Sequence, residues 1–112
     1  MSLAVEYKGK SLATDPEGFL LDPDDWNREI AILLAKQDGI DLSESHWEII
    51  DFCRGYYQEY RIIPIMRILV KAISRRLGIE KGKSRYLYRL FPQGPVRQAS
   101  RYAGLPKPPS CI

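Results

Sequence analysis

The spacing of apolar residues changes period along the chain, and each change marks an element. Val5 and Tyr7 alternate with polar neighbours, Lys8-Gly9 offers a turn, and Leu12 follows, so residues 4–13 read as a β-hairpin. Asp15-Pro16-Glu17-Gly18 is a second turn signal, ahead of the apolar run Phe19-Leu20-Leu21. The period then becomes helical. Asp22 suits the N-cap of a first helix and Pro23 its first position. Asp24 and Asp25 fall in the first turn, where the helix dipole favours acids. Trp26, Ile30, Leu33 and Leu34 form its apolar stripe, and Gly39 ends it.

A second helix starts near Ser43, with Leu42 placed to staple against Trp47. Ile49, Phe52, Cys53, Tyr56 and Tyr60 recur at helical spacing with further aromatics beside them, so this helix is expected to be the core. A third follows Pro64. Met66, Leu69, Ile73 and Leu77 make one face, Arg67, Lys71 and Arg75 the opposite row, and Gly78 the stop. Short helices are expected over 84–90 and 95–102, separated by Pro92, Gly94 and Pro95. After Gly104 the chain reads Leu105-Pro106-Lys107-Pro108-Pro109-Ser110-Cys111-Ile112. Three prolines in four residues forbid helix and favour an extended arm. Eight such residues reach roughly 25 Å at about 3.1 Å each. The expected fold is mainly α, a small orthogonal helical bundle with an N-terminal β-hairpin. It forms one domain over 1–104, with a mobile arm over 105–112.

Composition narrows the class. With 112 residues, 45% hydrophobic and 28% charged, the chain can bury one modest core and is not of a disordered type. Its longest apolar run, the six residues Ile30–Ala35, is far from the roughly 20 that span a membrane. Met1-Ser2-Leu3-Ala4-Val5-Glu6 lacks the basic and apolar regions of a secretory signal, which sets the cytoplasm as the expected location. The net charge of +3 conceals an asymmetry. Residues 1–51 hold four Lys/Arg against twelve Asp/Glu, and residues 52–112 hold thirteen against two. Such a dipole orients docking to a partner or turns a basic face toward nucleic acid.

Two cysteines, Cys53 and Cys111, and one histidine, His46, limit the chemistry. They form no metal-ligand spacing, and no metal or cofactor is expected. Cys53 lies on the apolar face of the second helix and reads as a small buried hydrophobe. His46 reads as a surface or capping residue. Cys111 differs, because a next-to-last thiol on a stiff arm is exposed and able to enter a partner's pocket. Its thiolate is the reactive form. Arg101 and Lys107 would favour that form, and the terminal carboxylate would oppose it. The run Lys81-Gly82-Lys83-Ser84-Arg85-Tyr86-Leu87-Tyr88-Arg89 is the other prominent feature. With the preceding helix it has the outline of a helix-turn-helix, and Arg85 and Arg89 lie one turn apart, as phosphate contacts would.

That run, continued by Leu90-Phe91-Pro92, Gly94-Pro95, Gln98-Ala99 and Ala103-Gly104-Leu105-Pro106-Lys107-Pro108 up to Cys111, resembles the DsrC/TusE family of sulfur-relay proteins. The resemblance extends over essentially the whole chain. It implies a small helical fold with an N-terminal hairpin, and a sulfurtransferase that carries persulfide sulfur on Cys111. For TusE-type members it implies relay from a TusBCD-like donor to an MnmA-like enzyme that thiolates the tRNA wobble uridine. For DsrC-type members it implies a DsrEFH-like donor and dissimilatory sulfite reductase. DsrC-type members also carry a second cysteine eleven positions before the terminal one, able to form a disulfide with it. Here that position is Ser100. The chain is therefore either a natural single-cysteine member with TusE-like chemistry or a DsrC-like protein with a Cys-to-Ser exchange.

Arg101, Lys83 and Arg85 are the candidates for a basic cradle around the thiolate. Two other readings compete with a sulfur carrier. One is a nucleic-acid-binding module using the basic half, with direct tRNA contact. The other is a redox protein pairing Cys53 with Cys111.

Overall fold

The computed structural model describes residues 4–108. Strands β1 (Ala4–Tyr7) and β2 (Lys10–Ala13) pair antiparallel with Val5 opposite Leu12, the two side chains that the hairpin buries. Lys8 and Gly9, both with positive φ, make the two-residue turn between them. The chain turns again at Asp15, whose carboxylate accepts from the backbone amides of Glu17 and Phe19. A single bridge from Thr14 to Leu20 closes this loop and buries Phe19 and Leu20.

The first helix departs from the expectation. Asp22 does cap a helix and Pro23 does begin it, but that helix is a 3-10 turn of three residues, Pro23–Asp25. Trp26 is extended, and Asn27 caps a separate helix, α1 (Arg28–Gln37), by accepting from the Ile30 amide. Two caps compete within five residues, and the break sends Trp26 away from the α1 stripe. Ile30, Ala31, Leu34 and Ala35 form the buried face of α1, while Leu33 is half-buried.

Helix α2 (Glu44–Tyr60) is capped by Ser43 and His46 in a reciprocal box. It buries His46, Ile49, Ile50 and Cys53, but its C-terminal half is not core. Tyr56 and Tyr57 are half-buried and Tyr60 is 54% exposed. Helix α3 (Met66–Leu77) buries Leu69 and Ile73 and ends at Gly78. Helices α4 (Ser84–Leu90) and α5 (Pro95–Tyr102) follow as expected. The central element is α5, which packs on α1, α2, α3 and α4. It buries Val96, Ala99 and Tyr102 together with the polar Gln98, Ser100 and Arg101. Among the described residues no helix is long and apolar enough to cross a membrane.

Candidate functional site

Helix α5 ends where the C-terminal arm begins, and two sets of contacts fix that junction. The first is a collar around the backbone. The Trp26 indole Nε1 donates to the Tyr102 carbonyl at 2.7 Å. Arg54 donates to the Ala103 carbonyl at 2.7 Å while its guanidinium lies 3.7 Å from the centre of a Trp26 ring. Gly104, with φ of +72°, turns the chain there, and the Leu105 amide returns to the Ser100 carbonyl at 3.0 Å. The extended conformation of Trp26 allows its indole to reach this site.

The second set is a polar network on the other side of α5. Asp38, the C-cap of α1, accepts from Arg101 at 2.9 Å, from the Tyr102 hydroxyl and from Gln98 at 3.4 Å. Arg101 also donates to Gln37 and to the Gly18 carbonyl. A buried ion pair holds only when its remaining donors are satisfied, and these contacts satisfy them. Burial, reinforced by the Asp38 carboxylate, pushes the Tyr102 phenol well above its usual range.

The arm continues along this face. Leu105 and Pro108 are buried, and Lys107 forms an ion pair with Glu17, which also pairs with Arg97 on α5. The hydrogen bond from Lys107, followed by that from Arg97, holds the Glu17 carboxyl below its ordinary value. Glu17, Asp38, Gln93, Arg97, Gln98 and Arg101 line a cleft of about 300 Å³ beside the arm root.

The residues singled out from sequence fall as follows. Cys111 lies outside the described residues. Ser100 is 1% exposed, and among the described residues its hydroxyl has no hydrogen-bond partner. Arg101 is a buried structural anchor beside the arm root. Lys83 pairs with Glu80 at 3.3 Å, and Arg85 is exposed on α4, so neither joins the Arg101 network. Cys53 is 2% exposed and burial pushes its thiol up to about 12, which argues against a redox partnership. His46 is not a surface residue. It caps α2, is buried, and its Nε2 lies 2.9 Å from the Leu90 carbonyl. Among the described residues no group of three or more His, Cys, Asp or Glu side chains could hold a metal. Sequence reasoning missed Glu17, Asp38 and Arg54. Each looks like an ordinary surface charge, and their partners lie 49 or more residues away.

Known proteins match this arrangement along nearly the whole chain. A family profile described as "DsrC like protein" covers residues 6–112. A protein of Photorhabdus laumondii named sulfurtransferase TusE is 54% identical over 110 residues, 98% of this chain and 99% of the relative. The Escherichia coli K12 sulfurtransferase TusE is 49% identical over 106 residues, 95% and 97% of the two chains. Among solved structures, Allochromatium vinosum DsrC superposes with a TM-score of 0.89 at 52% identity, over 100% of both chains. The oxidised γ-subunit of dissimilatory sulfite reductase from Archaeoglobus fulgidus gives 0.82 at 42% identity, over 97% and 99%. With its helical order, its hairpin and these matches, the chain belongs to the DsrC-like protein family.

Proposed function

We propose that the protein carries sulfane sulfur on Cys111, at the end of an arm that leaves α5 through the Trp26–Arg54 collar. The chain is a sulfurtransferase and acts as a sulfur carrier in a relay with partner proteins. The observation that carries the assignment to Cys111 is the family match, which runs through residue 112 and so includes the terminal cysteine. The collar and the Glu17–Lys107 contact support it, because they give residues 105–108 a fixed starting point. Four residues beyond Lys107, Cys111 stays within roughly 14 Å of it along the chain.

The proposed step is a thiolate exchange. The Cys111 thiolate attacks the outer sulfur of a donor persulfide R–S–SH. The new bond gives Cys111–S–SH, and the S–S bond of the donor breaks with R–S⁻ leaving. A second exchange passes the outer sulfur to an acceptor and returns Cys111 as thiolate. No net oxidant is consumed.

Ser100 favours the single-thiol version, since a hydroxyl cannot form a disulfide with Cys111. On this reading the donor is a TusBCD-like complex and the acceptor an MnmA-like tRNA thiolase, in the cytoplasm. The likeness to DsrC chains favours a second reading, with a DsrEFH-like donor and dissimilatory sulfite reductase. The helix-turn-helix reading gains no support from any of these relatives.

Intact mass after incubation with a persulfide donor tests the carrier role. The wild type gains one sulfur atom and Cys111→Ala gains none. A gain that persists in Cys111→Ala overturns the assignment. Capture on wild-type and Cys111→Ser baits separates the two partner sets.

A further inference from the structure

Among the described residues nothing requires glycine at position 55. It sits in the middle of α2, where glycine costs about 1 kcal/mol relative to alanine. Its φ is not positive, and a Cβ built there would meet nothing within 4 Å among the described residues. What the missing side chain leaves is the floor of an open groove of about 320 Å³ between α2 and α3.

One wall of the groove is aromatic. Phe52, Tyr56 and Tyr60 follow each other at four-residue spacing, with ring centroids 6.2 and 4.6 Å apart. Ala72 faces them from α3, and Ile68, one turn earlier on the same face of α3, is 39% exposed. The rims carry opposite charge. Asp51 and Glu59 line the α2 side, and Arg75 and Arg76 the α3 side. Among the described residues Glu59, Arg75 and Arg76 form no ion pair, while Asp51 pairs with Arg28 at 3.8 Å and also acts electrostatically on Arg54. The groove thus sets an apolar floor between an acidic rim and a basic rim, with all four charged side chains exposed.

We propose that this groove docks an amphipathic helix of a partner protein in the relay. The helix lays its apolar ridge over Gly55 and the tyrosines. Its basic flank faces Asp51 and Glu59, and its acidic flank faces Arg75 and Arg76. Bare backbone at Gly55 and the small Ala72 allow close approach. The carboxylates on one rim disfavour a phosphate backbone. Helix α3 of a second copy has no acidic residue and cannot supply the acidic flank.

The proposal rests on the carrier function, and the experiment keeps the two apart. Two variants are compared with wild type, Gly55→Leu and the double variant Arg75→Glu/Arg76→Glu. Gly55→Leu fills the groove and improves helix propensity, so it melts at or above the wild-type temperature. Cys111 is loaded from glutathione persulfide, which needs no docking, and from a persulfide-bearing TusBCD-type complex. Onward transfer to an MnmA-type acceptor is followed in parallel. Both variants load from glutathione persulfide at the wild-type rate, and transfer from the complex or to the acceptor slows by about tenfold or more. Wild-type rates in both protein-to-protein steps overturn the groove. So does a dimer of this chain that Gly55→Leu dissolves without slowing transfer, which would make a second copy the occupant. A wild type that takes sulfur from neither source overturns the carrier reading, and the groove's partner with it.

Discussion

Gly104 lies against the Trp26 indole so closely that a Cβ would come within 2.4 Å of Trp26 Cδ1. The same glycine has φ of +72°, in the left-handed region. Sterics and backbone conformation demand glycine together, at the point where the chain leaves α5. Gly104→Ala is expected to lose at least about 2 kcal/mol, from the left-handed cost and the overpacking combined. The urea midpoint measures this. Trp26→Phe, which keeps an aromatic ring but loses the donor to the Tyr102 carbonyl, is expected to lose about 1–3 kcal/mol.

Two buried groups set the alkaline limit. Tyr102 and Cys53 both have folded-state values raised by burial, Cys53 to about 12 from 9.0. A group raised on folding contributes stability that is complete below its unfolded value and disappears as pH rises through the folded one. Stability is therefore expected to be flat to about pH 9 and to fall above it. Urea midpoints between pH 8 and 11 test this. Cys53→Ala shallows the slope above pH 9, whatever it costs at neutral pH. An unchanged slope refutes the assignment.

The same burial separates the thiols. At neutral pH one thiol of the folded protein is expected to react rapidly with a disulfide reagent, and the other only after unfolding. Cys111→Ser removes the fast phase and leaves the slow one. A fast phase that survives in Cys111→Ser shows Cys53 to be accessible.

Most elements were legible because their signals are local. Ser43, Gly78 and Pro95 cap or begin helices on rules that need only neighbouring residues. The break after Asp25 was not, because Asp22 and Asn27 are both good caps and their rank depends on where Trp26 must point. The weight given to α2 over α5 failed for a related reason. Apolar count favoured Tyr56, Tyr57 and Tyr60, yet tertiary packing put the polar-looking stretch Gln98-Ala99-Ser100-Arg101 at the centre. Arg101 was singled out for its charge near the arm. Its partners Asp38 and Gly18 lie 63 and 83 residues away, and no spacing rule reports such a pair.

Ser100 carries a measurable cost. Among the described residues its buried hydroxyl has no hydrogen-bond partner, and an unsatisfied buried polar group costs about 1–3 kcal/mol. Ser100→Ala is expected to stabilise the protein by about 1 kcal/mol, a rise of roughly 4–8 °C in melting temperature for a domain near this size. Ser100→Cys replaces the hydroxyl with a weaker donor of similar shape and is expected to be at least as stable as wild type under reducing conditions. Calorimetry decides. A lower melting temperature for Ser100→Ala would mean that the hydroxyl has a partner in solution.

The contact between Glu17 and Lys107 ties the arm root to the turn after β2. Glu17 also holds Arg97, so one carboxylate joins the arm, the turn and α5. Its folded value is lowered, so its contribution is present above the ordinary value of 4.5 and disappears as pH falls through the folded one. Glu17→Gln removes the charge at every pH. The Leu105 amide, which donates to the Ser100 carbonyl, reports local opening of this junction. Its hydrogen exchange is expected to speed up severalfold in Glu17→Gln while the amides of the buried Ile30 and Ile73 keep their protection. Lowering the pH of the wild type through the Glu17 titration reduces the Leu105 protection factor, taken relative to the intrinsic exchange rate at each pH, and Glu17→Gln removes that dependence of protection on pH. If exchange at Leu105 is the same in both proteins, the ion pair does not hold the arm, and the collar of Trp26 and Arg54 suffices.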